Sequence, residues 1–172
     1  MITRSLGETD SWEQRLSRLL PEFGHRNWIV VADSAYPAQA NAGIETIYTG
    51  EDHLQLLGKV LDAIAAQHHI RGKAYVDAEL KHVAESDAPG VGEIRGSLDR
   101  LLGRGARSLE HEQIIEKLDE SARLFNILIL KSTLAIPYTS VFIELDCGYW
   151  NADAEKRLRD SVQDATTAAP GD

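Results

Sequence analysis

Two residues that could take part in chemistry flank one short apolar segment of the chain. His25 stands just before residues 27–32, and Asp33 follows them directly. Histidine titrates near neutral pH, which suits proton transfer, and a carboxylate accepts hydrogen bonds from hydroxyl groups. Because α/β sheets bind their ligands at the ends of strands, both residues are candidates for a functional site.

The motifs of the common cofactor enzymes are absent from the sequence. The chain contains no GxGxxG, no GxxxxGK followed by Ser or Thr, and no GxSxG. Nucleotide-binding loops and the nucleophile elbow of hydrolases are therefore not predicted. His111-Glu112-Gln113 begins like the zinc motif HExxH, but the second histidine is missing.

A metal site of another kind remains an alternative. Asp77, Glu79 and His82 lie on or just after one predicted strand, and Glu144 and Asp146 alternate on another. Carboxylates and a histidine on neighbouring strands could bind a divalent cation. Polar alternation on a solvated strand face explains the same pattern without a metal.

Composition and charge exclude several classes of protein. The 172 residues correspond to about one domain. The formal net charge is −9 and basic residues form no cluster, so neither nucleic acid nor an anionic membrane is an expected partner. Cys147 is the only cysteine, which excludes an internal disulfide. The apolar runs are far shorter than the roughly 20 residues of a membrane span, so the protein is predicted to be cytoplasmic.

Hydrophobic periodicity divides the chain into strands and helices. Short β-branched or alternating runs predict strands, and apolar residues at helical spacing predict helices. Strands are predicted at residues 27–32, 44–48, 74–80, 127–130 and 139–145, and helices at 12–20, 54–64, 94–102, 109–124 and from 151 onward. Interleaved strands and helices predict an α/β fold, a single three-layer α/β/α domain with a mostly parallel or mixed central sheet.

Local signals refine these elements. Asp10 and Glu13 predict a capping box for the first helix, and Ser108 predicts the N-cap of the helix at 109–124. The strand at 74–80 alternates a polar face carrying Asp77 with an apolar face that should lie on the core. Residues 151–172 are predicted to be a polar C-terminal helix and tail, partly disordered, outside a domain of residues 1–150.

The segment around His25 and Asp33 resembles a known family. Residues 24–37 read Gly-His-Arg-Asn-Trp-Ile-Val-Val-Ala-Asp-Ser-Ala-Tyr-Pro. This resembles the opening signature of the D-ribose pyranase / L-fucose mutarotase family. In that family a Gly-His pair precedes a strand, an aspartate follows the histidine by eight positions, and a proline comes soon after. The spacing from His25 to Asp33 is also eight.

A second likeness lies near the end of the predicted domain. Residues 137–143 resemble the family's Tyr-x-Asn followed by an apolar strand, with Tyr138 at the tyrosine position and Ser140 where the family has asparagine. Serine offers one hydroxyl where asparagine offers an amide donor and a carbonyl acceptor, so sugar specificity is expected to differ. Arg107 and His111 are rival matches for one further substrate-binding position.

The resemblance implies an isomerase that needs no cofactor. Such an enzyme opens a monosaccharide hemiacetal and recloses it, so that anomers or pyranose and furanose rings interconvert. By resemblance, His25 is the expected proton donor to the ring oxygen, Tyr138 a second catalytic residue, and Asp33 a ligand of sugar hydroxyls. Eight residues of straight strand span about 26 Å, so His25 and Asp33 cannot both reach one sugar unless His25 lies on a loop that folds back or a neighbouring subunit completes the site. The family's ring-shaped oligomers imply a homo-oligomer with sites at subunit contacts.

The sequence is also compatible with two other functions. One is a non-catalytic carbohydrate-binding or regulatory protein on the same scaffold, which the Ser140 departure allows. The other is a metal-dependent sugar isomerase built on Asp77, Glu79 and His82.

Overall fold

The computed structural model describes residues 11–167, which form one mixed sheet and its helices. The strands are β1 (Trp28–Ala32), β2 (Ile44–Tyr48), β3 (Ile70–Asp77), β4 (Arg107–Leu109), β5 (Ile127–Lys131) and β6 (Val141–Cys147). The helices are α1 (Trp12–Leu19), α2 (His53–Ala65), α3 (Val91–Leu102), α4 (His111–Ala122) and α5 (Ala152–Thr167), with short 3₁₀ turns at Ala78–His82 and Gly103–Gly105.

The sheet has the order β2-β5-β1-β6-β3-β4. β1, β2 and β5 pair in parallel, as do β3 and β4, whereas β6 is antiparallel to both of its neighbours, β1 and β3. Five strands therefore point the same way and β6 alone runs against them. Their carboxyl ends and the amino end of β6 share one edge of the sheet, which we call the carboxyl edge.

Helices cover both faces of the sheet. Helices α1, α2 and α3 pack on one face over a core that includes Ile29, Val31 and Leu128. Helix α4 covers the other face, where its Ile114 and Leu118 pack with Trp28 and Phe142. The predicted three-layer α/β/α domain with a mixed sheet is thereby confirmed.

Strand β3 differs from its prediction in both position and surroundings. It ends at Asp77, and residues 78–80, predicted to continue the strand, turn into the 3₁₀ segment. Tyr75 and Asp77, on the face predicted to be polar, are 4% and 2% exposed. Because β3 lies inside the sheet and α4 covers this face, Tyr75 and Asp77 are buried.

Two predicted helix starts are also corrected. Helix α1 is capped by Ser11 and Gln14 in a reciprocal capping box, not by Asp10 and Glu13; Asp10 lies outside the described residues. Ser108 belongs to the short strand β4 and caps nothing, and α4 begins only at His111. Pairing with the end of β3 takes residues 107–109 into the sheet, which shortens the helix predicted there.

The C-terminal helix is present as predicted. Helix α5 begins after Asn151, and its Leu158 and Val162 are about half exposed. The remainder of the predicted tail, residues 168–172, lies outside the described residues. None of the helices within residues 11–167 has the length and apolarity needed to span a bilayer.

A buried histidine ties the loops of the carboxyl edge together. His53 opens α2 and is fully buried, with Nε2 2.9 Å from the Thr139 carbonyl oxygen and Nδ1 2.7 Å from the Ser132 hydroxyl. The carbonyl can only accept, so Nε2 carries the proton and Nδ1 has a lone pair. The Ser132 hydroxyl lies between two acceptors, His53 Nδ1 and the Ala32 carbonyl oxygen at 3.1 Å. Burial lowers the pKa of His53 from 6.5, and the bond to Thr139 opposes this only in part.

This burial predicts a pH-dependent stability. As pH falls below 6.5, the unfolded chain binds a proton at His53 that the folded chain resists, so the free energy of unfolding should decrease. One proton contributes at most about 1.4 kcal/mol per pH unit. Urea titrations between pH 8 and 5 should therefore show a shallower pH slope for His53→Asn than for the wild type. Exposed His68→Asn is the control, and equal slopes for the wild type and His53→Asn would contradict the prediction.

Candidate active site

The carboxyl edge of the sheet contains a cavity of about 670 Å³. Its walls come from loop 33–39 after β1, segment 135–140 before β6, the first half of α4, and Asp77 at the end of β3. Ligand pockets in proteins occupy about 300–1,000 Å³, so the cavity has room for a small molecule. The topology explains its place, since the sheet brings the ends of β1, β6 and β3 side by side.

Asp33 and Ser140 form one wall of the cavity. The Ser140 hydroxyl donates to Asp33 Oδ2 at 2.9 Å and accepts the Asp33 backbone N–H at 3.1 Å. Asp33 Oδ1 accepts the backbone N–H of Ala35 at 2.9 Å. Both carboxylate oxygens are thus held in place, and each retains a lone pair for a ligand hydroxyl.

His111 and Tyr138 line the same cavity, and their side chains are in contact. Their rings meet edge to face, with centroids 5.8 Å apart. The Nδ1 atom of His111 lies 3.0 Å from Asp77 Oδ1, and the His111 side chain is 31% exposed. The cavity therefore holds a histidine backed by a buried carboxylate, with a phenol beside it.

Tyr138 occupies an unusual backbone conformation. Its φ of 59° is in the left-handed region, which is uncommon for residues other than glycine. The turn is closed by the Thr139 hydroxyl, which donates to the Ile136 carbonyl at 2.7 Å, while His53 binds the Thr139 carbonyl. Such conformations persist where the surroundings fix them, and they concentrate at functional sites.

Four of the six predicted site residues therefore meet in one cavity: Asp33, His111, Tyr138 and Ser140. His25 does not line it; it lies exposed in the turn before β1, at the opposite edge of the sheet. Arg107 does not line it either, being the exposed first residue of β4, opposite Tyr75. Of the two rivals for one position, His111 is the residue at the cavity.

Sequence reasoning missed two residues of this site. Asp77 was considered only as part of a metal site, although its position at a strand end could have identified it. Tyr36, in the loop after β1, is 6% exposed and packs edge to face on Phe142. Burial, followed by the charges of Asp119 and Asp77, raises the pKa of Tyr36, so its hydroxyl stays protonated.

The carboxylates of the predicted metal site have other partners. Asp77 contacts His111, Asp146 binds Arg71 and Lys73, and Glu144 accepts the hydroxyl of Tyr75. Among residues 11–167, no group of three or more His, Cys, Asp or Glu side chains is placed to hold a metal ion.

The charged groups of the cavity carry mainly negative charge. Its acidic lining residues are Asp33, Asp77, Glu112 and Asp119, and no lysine or arginine of the described part of the chain lines it. Its other walls are largely apolar and include Ile115, Ile136 and Pro137. The cavity therefore suits an uncharged ligand with hydroxyl groups along one side and C–H groups along the other.

Three solved structures share this fold. RbsD of Bacillus subtilis complexed with D-ribose has a TM-score of 0.52 at 18% identity, over 82% of this chain and 98% of that one. FucU from Bifidobacterium longum has a TM-score of 0.51 at 18% identity, over 77% and 93%. The fucose mutarotase of Streptococcus pneumoniae in complex with L-fucose has a TM-score of 0.51 at 18% identity, over 75% and 89%.

Sequence comparison identifies the family. No curated protein matches this chain. The model of the RbsD / FucU transport protein family matches residues 7–141, which include β1 to β5 and every cavity residue named above. The protein therefore belongs to the RbsD / FucU family.

Proposed function

We propose that this protein is a monosaccharide mutarotase or pyranase, an isomerase that interconverts the ring forms of a free sugar without a cofactor. The observation that carries the proposal is the meeting of Asp33, His111 and Tyr138 in one cavity of a chain of this family. Two of the related structures are complexes with D-ribose and L-fucose, which supports a sugar as the ligand.

The reaction needs two proton transfers and groups that bind the sugar hydroxyls. One group removes the proton of the anomeric hydroxyl, and another protonates the ring oxygen. His111 and Tyr138 are the proton-transfer groups that one subunit offers, and Asp33 accepts hydrogen bonds from sugar hydroxyls. Positioned general acid–base groups typically contribute about 10²- to 10⁴-fold in rate.

His25 and Arg107 take part, in this proposal, only through a neighbouring copy. Both lie outside the cavity of their own chain, and His25 is at the opposite edge of the sheet. A homo-oligomer that places the β1 turn of one copy over the cavity of the next would bring a second histidine to the sugar. Ser140 then acts through Asp33, whose carboxylate it holds.

The test is exchange spectroscopy by NMR on ribose, fucose, galactose and glucose, with and without catalytic amounts of protein. We expect faster exchange between ring forms for at least one free sugar. Because the charged groups of the cavity are acidic, we expect no acceleration for glucose 6-phosphate or galactose 6-phosphate, whose dianionic phosphate is repelled. Binding without acceleration would contradict the proposal and indicate a carbohydrate-binding protein.

One variant in the same experiment tests the neighbouring copy. His25→Ala should lose the acceleration and keep its sugar affinity if His25 of the neighbouring copy, rather than Tyr138, protonates the ring oxygen. Unchanged acceleration in His25→Ala would leave proton transfer to the residues of a single cavity.

A further inference from the structure

The start of helix α4 is fixed by two acidic residues, Asp77 at the end of β3 and Glu79 in the 3₁₀ turn that follows it. Glu110 is the N-cap but makes no capping bond with its side chain. Instead, both carboxylate oxygens of Glu79 lie 3.0 Å from the backbone nitrogen of His111. A carboxylate at a helix N-terminus satisfies a free N–H group and interacts favourably with the helix dipole. The backbone of His111 is thereby anchored to the strand that carries Asp77.

Asp77 fixes the ring of the same histidine. Its side chain is 1% exposed, and Oδ1 lies 3.0 Å from His111 Nδ1. A buried carboxylate is costly without a partner, and His111 is the partner that this one has. An ionised carboxylate only accepts hydrogen bonds, so the contact places the imidazole hydrogen on Nδ1 and leaves Nε2 with a lone pair.

The geometry directs that lone pair into the cavity. Nδ1 and Nε2 lie on opposite sides of the ring, so Nε2 points away from buried Asp77. The ring packs against Tyr138 and against Phe142, whose centroid is 6.4 Å away. No hydrogen-bond partner of Nε2 is found in the described part of the chain. His111 is thus oriented by its backbone, by Nδ1 and by two aromatic rings, while Nε2 remains available.

We infer that Asp77 is a positioning residue, which holds His111 so that Nε2 is the base for the anomeric hydroxyl. The inference rests on the proposed function. Nε2 takes the O1 proton, the C1–O1 double bond forms, and the C1–O5 electron pair moves to O5, which takes the Tyr138 proton. Reclosure on the other face of the carbonyl returns both protons, so the sugar and the protein end with the atoms they began with.

The experiment compares Asp77→Asn with the wild type in two readouts. Long-range ¹⁵N–¹H spectra report which ring nitrogen of a histidine carries hydrogen, and the signal missing in His111→Gln assigns the residue. We expect hydrogen on Nδ1 of His111 in the wild type and a mixture of tautomers in Asp77→Asn, because an amide can also donate to Nδ1. We expect kcat on the accelerated sugar to fall about 10²-fold with KM unchanged. Exposed Glu116→Gln, on α4 but outside the cavity, is the control for lost charge.

Each outcome decides the inference. Hydrogen on Nε2 in the wild type, or full kcat in Asp77→Asn, overturns it while the mutarotase activity stands. No acceleration by the wild type overturns the proposed function and the role of His111 as base together. If Asp77→Asn does not fold, the inference is tested by the tautomer of His111 in the wild-type spectrum and by the kcat of His111→Gln. A His111→Gln protein that keeps the wild-type kcat also overturns the inference.

Discussion

Replacing Asp33 with asparagine should lower kcat/KM for the accelerated sugar by about 10- to 100-fold while the protein stays folded. Asparagine keeps the shape, and its carbonyl oxygen can still accept the Ala35 N–H while its amide donates to Ser140. The sugar loses a charged acceptor, however, and hydrogen bonds to charged groups contribute about 1.5–3 kcal/mol. The measurement is the exchange rate against sugar concentration, with circular dichroism to verify folding.

The control is Ser140→Ala, which leaves the Asp33 carboxylate charged. It removes the donor to Oδ2 and the acceptor of the Asp33 backbone N–H, so the carboxylate is less well held. We expect a smaller loss, by about 10-fold or less, because the carboxylate keeps its charge and Oδ1 still accepts the Ala35 N–H. Equal kcat/KM for Asp33→Asn and the wild type would show that Asp33 does not bind the sugar.

Phe142→Ala should reduce the free energy of unfolding by about 3–5 kcal/mol. Phe142 is fully buried near the start of β6, with Val30 of β1 on one side and Tyr75 of β3 on the other. Its ring also supports Tyr36 and His111 from below the cavity. Removing it leaves a hole that backbone strands on both sides cannot close. Domains have a total stability of only about 5–15 kcal/mol, so the loss is large.

Urea unfolding of Phe142→Leu is the matched measurement. Leucine keeps most of the volume, and such substitutions usually cost less than about 1.5 kcal/mol. A change in midpoint without a change in slope shows that the native state has lost stability. A cost for Phe142→Ala no greater than that for Phe142→Leu would mean that the layer between the sheet and α4 repacks freely.

Apolar strands were predictable because their own residues determine them. The segment at 44–48 became β2 with the predicted bounds, and the run at 27–32 became β1, which begins one residue later, at Trp28. The first half of β3 was not predicted, because it contains Arg71, Gly72 and Lys73, which resemble a loop. Arg71 and Lys73 bind Asp146 on β6, and a Cβ at Gly72 would come within 2.8 Å of an Ile143 methyl group. Only the neighbouring strand explains these residues, and a single strand's sequence does not show its neighbour.

The site was predictable where its residues stand at strand ends. Asp33 follows β1, Tyr138 and Ser140 precede β6, and all three were identified from position and resemblance. The sequence could not decide between Arg107 and His111 for one position. Arg107 begins the short strand β4 and His111 begins α4, but three residues of strand show no clear hydrophobic pattern. Asp77 was misread since its partner, His111, is 34 residues away, and a pairing over that distance depends on tertiary packing.

The place of β6 in the sheet governs the order in which the molecule can be built. Among residues 11–167 it is the last strand in chain order, yet it joins β2-β5-β1 to β3-β4. A nascent chain without residues 141–147 therefore has two strand groups with open edges, which are prone to pair with other chains. The bond between Asp33 and Ser140 spans 107 residues, and pairings over such distances slow folding. The cavity is thus assembled in the same late step in which β6 pairs with β1 and β3. A chain that has not completed this step cannot bind a ligand in the cavity.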